Sequence, residues 1–145
     1  MKSYTINLVP KVTLCKKLND LGFSYSNDNY FYWINIGENK WNLIYDTVDL
    51  IDIENKAKEI VRAPTLTEIL ELIPNEINNH TDGEEIFTIQ KILDNEIYWV
   101  AQYIYYSYLS PDFRPTISFK NKSLPNAAAS LLIWLVENNY VKFEY

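Results

Sequence analysis

The sequence predicts an α+β fold: antiparallel sheets of hairpins and a meander, with about four helices, the C-terminal one buried. Three observations lead there. Aromatic and β-branched residues gather in short runs bounded by Asn, Asp and Gly, as in residues 30–45 and 86–106. Between them apolar residues return at helical spacing. The strands come in hairpins rather than alternating one to one with helices, which argues against a parallel doubly wound sheet.

Residues 4–9 alternate weakly and suggest a short strand. Pro10 then opens a helix whose apolar stripe is Leu14, Leu18 and Leu21, with Gly22 as the stop and Cys15 beside the stripe. Residues 23–25, 30–36 and 41–45 read as a three-stranded meander with turns at 26–29 and 37–40. Residues 49–62 return to helical spacing through Ile53, Ala57, Ile60 and Val61. After Ala63-Pro64, Thr65 and Glu68 have capping-box spacing and open a helix over 66–73.

Residues 75–85 are polar and read as an exposed loop. Residues 86–93 and 96–106 form a hairpin turning at Asp94-Asn95, followed by a loop over 110–115 and a short strand over 116–120. Ser123 and Pro125 mark a helix entry. Residues 127–136 are apolar almost all round, which predicts a helix sandwiched in the core. Residues 140–145 alternate again and suggest an edge strand.

The chain has 145 residues and reads as one domain over 1–145, large enough for its own core. Asp28-Asn29-Tyr30-Phe31-Tyr32-Trp33-Ile34 aligns with Asp94-Asn95-Glu96-Ile97-Tyr98-Trp99-Val100 at four identical positions of seven. Each segment follows a Pro-initiated helix, so a duplicated helix-plus-hairpin unit over about 10–45 and 64–108 is one reading. Chance recurrence in a chain rich in Asn, Asp, Tyr and Trp is the stronger one.

Composition narrows the chemistry. The chain holds one His, one Cys and three Gly against 22 aromatic residues. One cysteine excludes an internal disulfide and fits a reducing, cytoplasmic setting. One His and one Cys exclude the common structural zinc sets, and isolated glycines exclude a phosphate-binding loop, so no metal and no cofactor is expected. Net charge is −6, and neither half of the chain is basic, which argues against nucleic acid. Only Lys11, Lys16 and Lys17, or Arg114, Lys120 and Lys122, would make a local patch. No stretch reaches the roughly 20 apolar residues that span a bilayer.

His80, the one conventional general base, falls in the expected loop, where a solvated side chain is the plainer reading. Cys15 reads as a core side chain. The acid pairs Glu84/Glu85 and Asp94/Glu96 serve glycan chemistry only if they face each other across a cleft. The remaining signal is aromatic. One face of the strand after Asn95 carries Tyr98, Val100, Ile104, Tyr106 and Tyr108, and the other carries Trp99, Ala101, Tyr103, Tyr105 and Leu109. Both are large and semi-polar, so either both are covered or one is a contact surface. The candidate surface is Tyr30, Tyr32, Trp33, Tyr98, Trp99, Tyr103, Tyr105, Tyr106 and Tyr108.

Leu21-Gly22-Phe23, Tyr30-Phe31-Tyr32-Trp33, Ala63-Pro64-Thr65-Leu66 and the closing run 127–138 together resemble a group of uncharacterised small proteins. These come from gut Bacteroidetes genomes and their phage- or prophage-like regions. The resemblance implies a cytoplasmic, mobile-element setting and carries no activity or site residues. The expectation is therefore a non-enzymatic accessory protein that contacts a protein partner or a second copy of itself. The alternative is a small carboxylate- and tyrosine-based enzyme or binder acting on glycans.

Overall fold

The computed structural model describes residues 8–23, 31–45 and 57–143. These form an α+β arrangement of three helices and two antiparallel sheets. In chain order the elements are α1 (Val12–Asp20), β1 (Phe31–Asn35), β2 (Trp41–Tyr45), β3 (Glu59–Ala63), α2 (Leu66–Leu72), β4 (Glu76–Ile77), β5 (Gly83–Asp94), β6 (Glu96–Ser107), β7 (Phe113–Asn121) and α3 (Leu124–Glu137). The small sheet runs β2-β1-β3 and the larger one β4-β5-β6-β7.

Local chemistry accounts for the ends of the helices. At the close of α1, Phe23 N–H bonds Leu18 C=O at 3.0 Å and Gly22 N–H bonds Asn19 C=O at 3.0 Å. Gly22 sits at φ 95°, the left-handed backbone that this double closure requires and that glycine adopts without strain. Asn139 does the same work for α3 at φ 64°, where Tyr140 N–H reaches Leu135 C=O at 2.8 Å. At the start of α2, Thr65 Oγ1 accepts from Glu68 N–H at 3.2 Å while Glu68 Oε1 accepts from Thr65 N–H at 3.2 Å. Both halves of the capping box are thus formed. Ser123 caps α3 by accepting from Asn126 N–H at 3.3 Å.

Two apolar clusters share α1. Cys15 joins Val9, Leu43, Val61 and Ala63 under the small sheet. Leu18, one turn on, joins the larger cluster of α2, α3 and the helix-side face of β4–β7. α3 packs on β6 and β7 and is in contact with both α1 and α2. Its Ala127-Ala128-Ala129 run lets neighbours approach closely, and Leu131, Leu132 and Leu135 are wholly buried. Eight of its residues are buried. Ser130, Trp134 and Val136 are only half-buried and Glu137 is exposed, so the helix is not enclosed all round as its composition suggests.

Several sequence-based expectations are corrected. The helix expected over 49–62 ends instead as strand β3, which pairs antiparallel with β1 from Phe31↔Ala63 to Asn35↔Glu59. β-branched Ile60 and Val61 suit a strand, and Val61 and Ala63 alternate inward. Residues 46–56 lie outside the described residues, so three helices stand where about four were expected. The third strand of the small sheet is therefore β3, not residues 23–25, of which only Phe23 is described. Residues 78–82 are an exposed loop, but the ends of the expected 75–85 loop are strand: β4 pairs with β5 through Ile77↔Glu85, and Ile77 and Glu85 are buried. β7 reaches back to Phe113, into the loop expected over 110–115. Residues 140–143 carry no strand. Of the strand expected over 4–9, only Leu8 and Val9 are described, and they lie in a turn.

The hairpin stands as expected, with Asp94↔Glu96 paired around Asn95 at φ 59°. Of the aligned heptads, 31–34 lie in or beside the central strand of one sheet and 96–100 in the central strand of the other.

Replacing Leu132 by Ala removes a side chain at the centre of the larger cluster. Unfolding in urea is expected to show a loss of about 2–5 kcal/mol with an unchanged dependence on denaturant. A loss below about 1 kcal/mol would mean that α3 is not the packing centre.

Candidate contact surface

The two faces of β5-β6-β7 have opposite fates. Odd-numbered positions of β5 and β6 point toward α3: Phe87, Ala101 and Tyr103 pack with Ile117 and Phe119 in the larger cluster. Even-numbered positions point away, because side chains alternate along a strand. None of them belongs to either apolar cluster. Among the described residues, no helix packs on this second face. Its central strand carries Tyr98, Val100, Gln102, Ile104 and Tyr106. Val100 and Gln102 are nevertheless buried. Gln102 lies between Thr88 and Ser118, and its Nε2 donates to Gln90 Oε1 at 3.3 Å.

Aromatic rings stand at both ends of this open face. Tyr98 lies under the Lys120 ammonium, 4.3 Å from its ring centroid, and its hydroxyl donates to Glu96 at 3.3 Å. Tyr106 stacks on Phe113 at 5.9 Å, and Phe113 is 66% exposed. Eight residues of extended chain separate Tyr98 from Tyr106, about 26 Å.

The candidate residues therefore do not form one aromatic cluster. Tyr103 is fully buried, and its hydroxyl donates to Pro74 C=O at 2.6 Å. That environment pushes its phenol well above the ordinary range, through burial. Trp33 packs into the small-sheet core and donates from Nε1 to Pro10 C=O at 3.0 Å. Tyr32 is half-buried on the opposite face of β1 from Trp33. Trp99 is half-buried on the helix side, beside Leu66, Leu124 and Pro125. Tyr108 lies beyond the end of β6 and is 61% exposed. A hydrogen bond to Glu84, with partial burial, pushes its phenol up to about 12. Tyr30 lies outside the described residues. Only Tyr98 and Tyr106 of the nine thus belong to the open face of the large sheet.

The residue that sequence reading undervalued is His80. It lies in a loop and is exposed, as expected, but it is also bonded: Nε2 lies 2.5 Å from Oε1 of Glu85, which is 6% exposed. Asn78 Nδ2 donates to the same oxygen at 3.1 Å, and Thr116 Oγ1 donates to Oε2 at 2.9 Å. The His80 ring meets Tyr105 edge-on at 5.0 Å, and the Arg114 guanidinium lies 5.6 Å from that Tyr105 ring. Partial desolvation and a hydrogen bond with Asp82 raise the Tyr105 phenol. The approach is close: a Cβ on Gly83 would come within 2.3 Å of Tyr106 C=O and 2.7 Å of the Tyr105 ring. A faint signal was present in the sequence. Glu85 falls at an inward position once the strand is run back to Gly83, but the polar residues around it masked that.

Burial acts to raise the Glu85 carboxyl; hydrogen bonds from His80, Asn78 and Thr116 together outweigh it and hold the group below the usual range. The acid pairs raised from the sequence do not face each other across a cleft. Glu84 and Glu85 are adjacent in a strand and point to opposite faces. Asp94 and Glu96 are ion-paired with Lys120 and Lys122. Lys16 and Lys17 likewise pair with Glu59 and Glu137, so these lysines form no run of unpaired positive charge. Cys15 is buried and pushed up to about 12, chiefly by desolvation, which makes it a poor nucleophile. No group of three or more metal-ligating side chains occurs among the described residues, and no described helix is long and apolar enough to cross a membrane.

Comparison with protein-family models, with curated proteins and with solved structures gives no match.

The Glu85 network carries a pH dependence of fixed sign. Its folded pKa lies below that of the unfolded chain, about 4.3, so its stabilising contribution is complete above about pH 5. It is lost as pH falls through the folded value. Thermal melts from about pH 7 down to about pH 3 should show a steeper loss for the native sequence than for Glu85→Gln. Equal slopes would mean that the network does not stabilise the carboxylate.

Proposed function

We propose that this chain is a non-enzymatic accessory protein that works by binding another protein across the open face of β5-β6-β7. The observation that carries the reading is a sheet face that bears Tyr98, Ile104 and Tyr106, and on which no described helix packs. A sheet in a protein of this size ordinarily buries one face and solvates the other with plain polar alternation. Here the second face keeps semi-polar aromatic rings at its ends and apolar or amide side chains between them. Such side chains add contact area at low entropy cost and keep a hydrogen-bonding tip.

The His80–Glu85 network supports the non-enzymatic part of the reading. Both oxygens of the buried carboxylate are engaged by protein groups, as a structural tie requires. The sequence resemblance suits a partner met in the cytoplasm of a host cell, in a phage- or mobile-element setting.

The test is affinity capture from such a host, followed by titration of the purified partner. Tyr98→Asp and Ile104→Asp should each weaken binding by at least about tenfold without lowering the melting temperature. Glu71→Ala, at an exposed position of α2, should leave binding unchanged. A partner whose affinity ignores both face variants would overturn the proposal.

A further inference from the structure

We propose that the outer edge of β5 is the seam of a homodimer, in which two copies join antiparallel about a two-fold axis at Lys91. The inference goes beyond the contact reading above and uses a different surface: a strand edge rather than a sheet face.

β5 has twelve residues, but β4 has two. Pairing on this side runs from Ile77↔Glu85 through Glu76↔Ile86 to Phe87 N–H, which bonds Asn75 C=O at 2.8 Å. The next residue back is Pro74, which has no N–H to donate, and the chain leaves there for α2. Tyr103 pins that departure through its bond to Pro74 C=O. Residues 88–94 of β5 therefore have β6 on one side and no described strand on the other. Because Phe87 points its N–H outward, so do Ile89, Lys91 and Leu93.

The two edges of this sheet differ in protection. β7, at the far side, carries Pro115, a register break opposite Tyr103/Ile104, and the charges of Arg114 and Lys120. These devices blunt an edge against pairing. On the helix side, the free β5 edge has Lys91 between the apolar Ile89 and Leu93; Asp94, at its end, is paired with Lys120. Ile89 is 37% exposed and Leu93 81%, and Ile97, beside Leu93 on β6, is 50% exposed. All three lie on the helix side of the sheet, where α3 would otherwise cover them.

Self-pairing selects its own register. Centred on Lys91, it places Ile89 opposite the second copy's Leu93 twice and uses all of residues 88–94. Centred on Ile92, it sets Leu93 against Lys91 and Ile89 against Asn95. Centred on Gln90, it sets Leu93 against Phe87, whose N–H is already taken. The chosen register brings two lysines opposite each other, a repulsive pair. Each ammonium, however, is drawn back toward its own Trp99, 5.3 Å from the ring centroid, on the strand away from the seam. The product is one sheet with both sets of helices on the same side and both open faces joined on the other. Added salt should tighten it by screening the lysines.

Sedimentation equilibrium at micromolar concentration should give twice the chain mass of 17.1 kDa. Leu93→Lys should raise the dissociation constant at least about tenfold while leaving the backbone intact. Lys91→Pro removes an outward N–H and no β5–β6 bond, and should do the same. Paired Cα atoms at the axis lie about 5.5 Å apart, within disulfide reach, so Lys91→Cys should cross-link under mild oxidation and Lys40→Cys should not. Native Cys15 is buried and stays out of the reaction. A wild-type chain that is monomeric up to about 100 µM, or a folded Leu93→Lys that still dimerises, would overturn the seam. Tyr98→Asp should leave the dimer unchanged, which separates this result from failure of the contact reading.

Discussion

The packing of α3 against β6, β7, α1 and α2 at once is the constraint on which the rest of the molecule depends. One side of this helix covers β6 and β7; α1 and α2 lie against it as well. Burying Leu131, Leu132 and Leu135 completely is worth several kcal/mol by area, about 1.5–3 for each such side chain. Because α3 can cover only one face of the sheet, its position decides which aromatic residues become core. Tyr103 falls beneath it. Tyr98 and Tyr106, on the same strand with the opposite parity, do not.

The same limit explains the unfinished parts of the large sheet. α3 spans fourteen residues, about 21 Å of helix, whereas β5 and β6 run twelve residues each, about 40 Å of strand. The tip of the hairpin, with Leu93 and Ile97, extends past the cover. At the other end, Glu85 is enclosed where β4 pairs with β5 and where Thr116 of β7 reaches across β6 to the carboxylate. There the sheet is closed by polar bonds, with His80, Asn78 and Thr116 holding one carboxylate. One end of the hairpin is thus sealed by hydrogen bonding and the other is left apolar and open.

α1 joins the two sheets, and its two inward residues show how. Cys15 is committed to the small-sheet cluster and Leu18 to the large one. These residues are three apart and share neighbouring positions on one helical face, so one helix serves two cores. Desolvation of the Cys15 thiol follows from that position. The chain's scarce reactive groups are placed for packing: the thiol under a sheet, the imidazole against a buried carboxylate.

Much of the local structure was readable without coordinates. The Thr65–Glu68 capping box, the Gly22 stop, the Asn95 turn and the apolar run of α3 are each set by interactions within a few residues, so the local pattern carries them. β3 was misread because Ile60 and Val61 fit either a helical stripe or a strand; pairing with β1, nearly thirty residues earlier, resolves the ambiguity. Glu85, and with it the bond from His80, was misread because polar residues in sequence imply solvent, and only long-range neighbours such as Thr116 show otherwise. The open face of the large sheet lay between these cases. Strand alternation divided the aromatic residues into two sets correctly, since parity is a property of the backbone. Which set meets solvent depends on the side where α3 docks, and no run of adjacent residues encodes that.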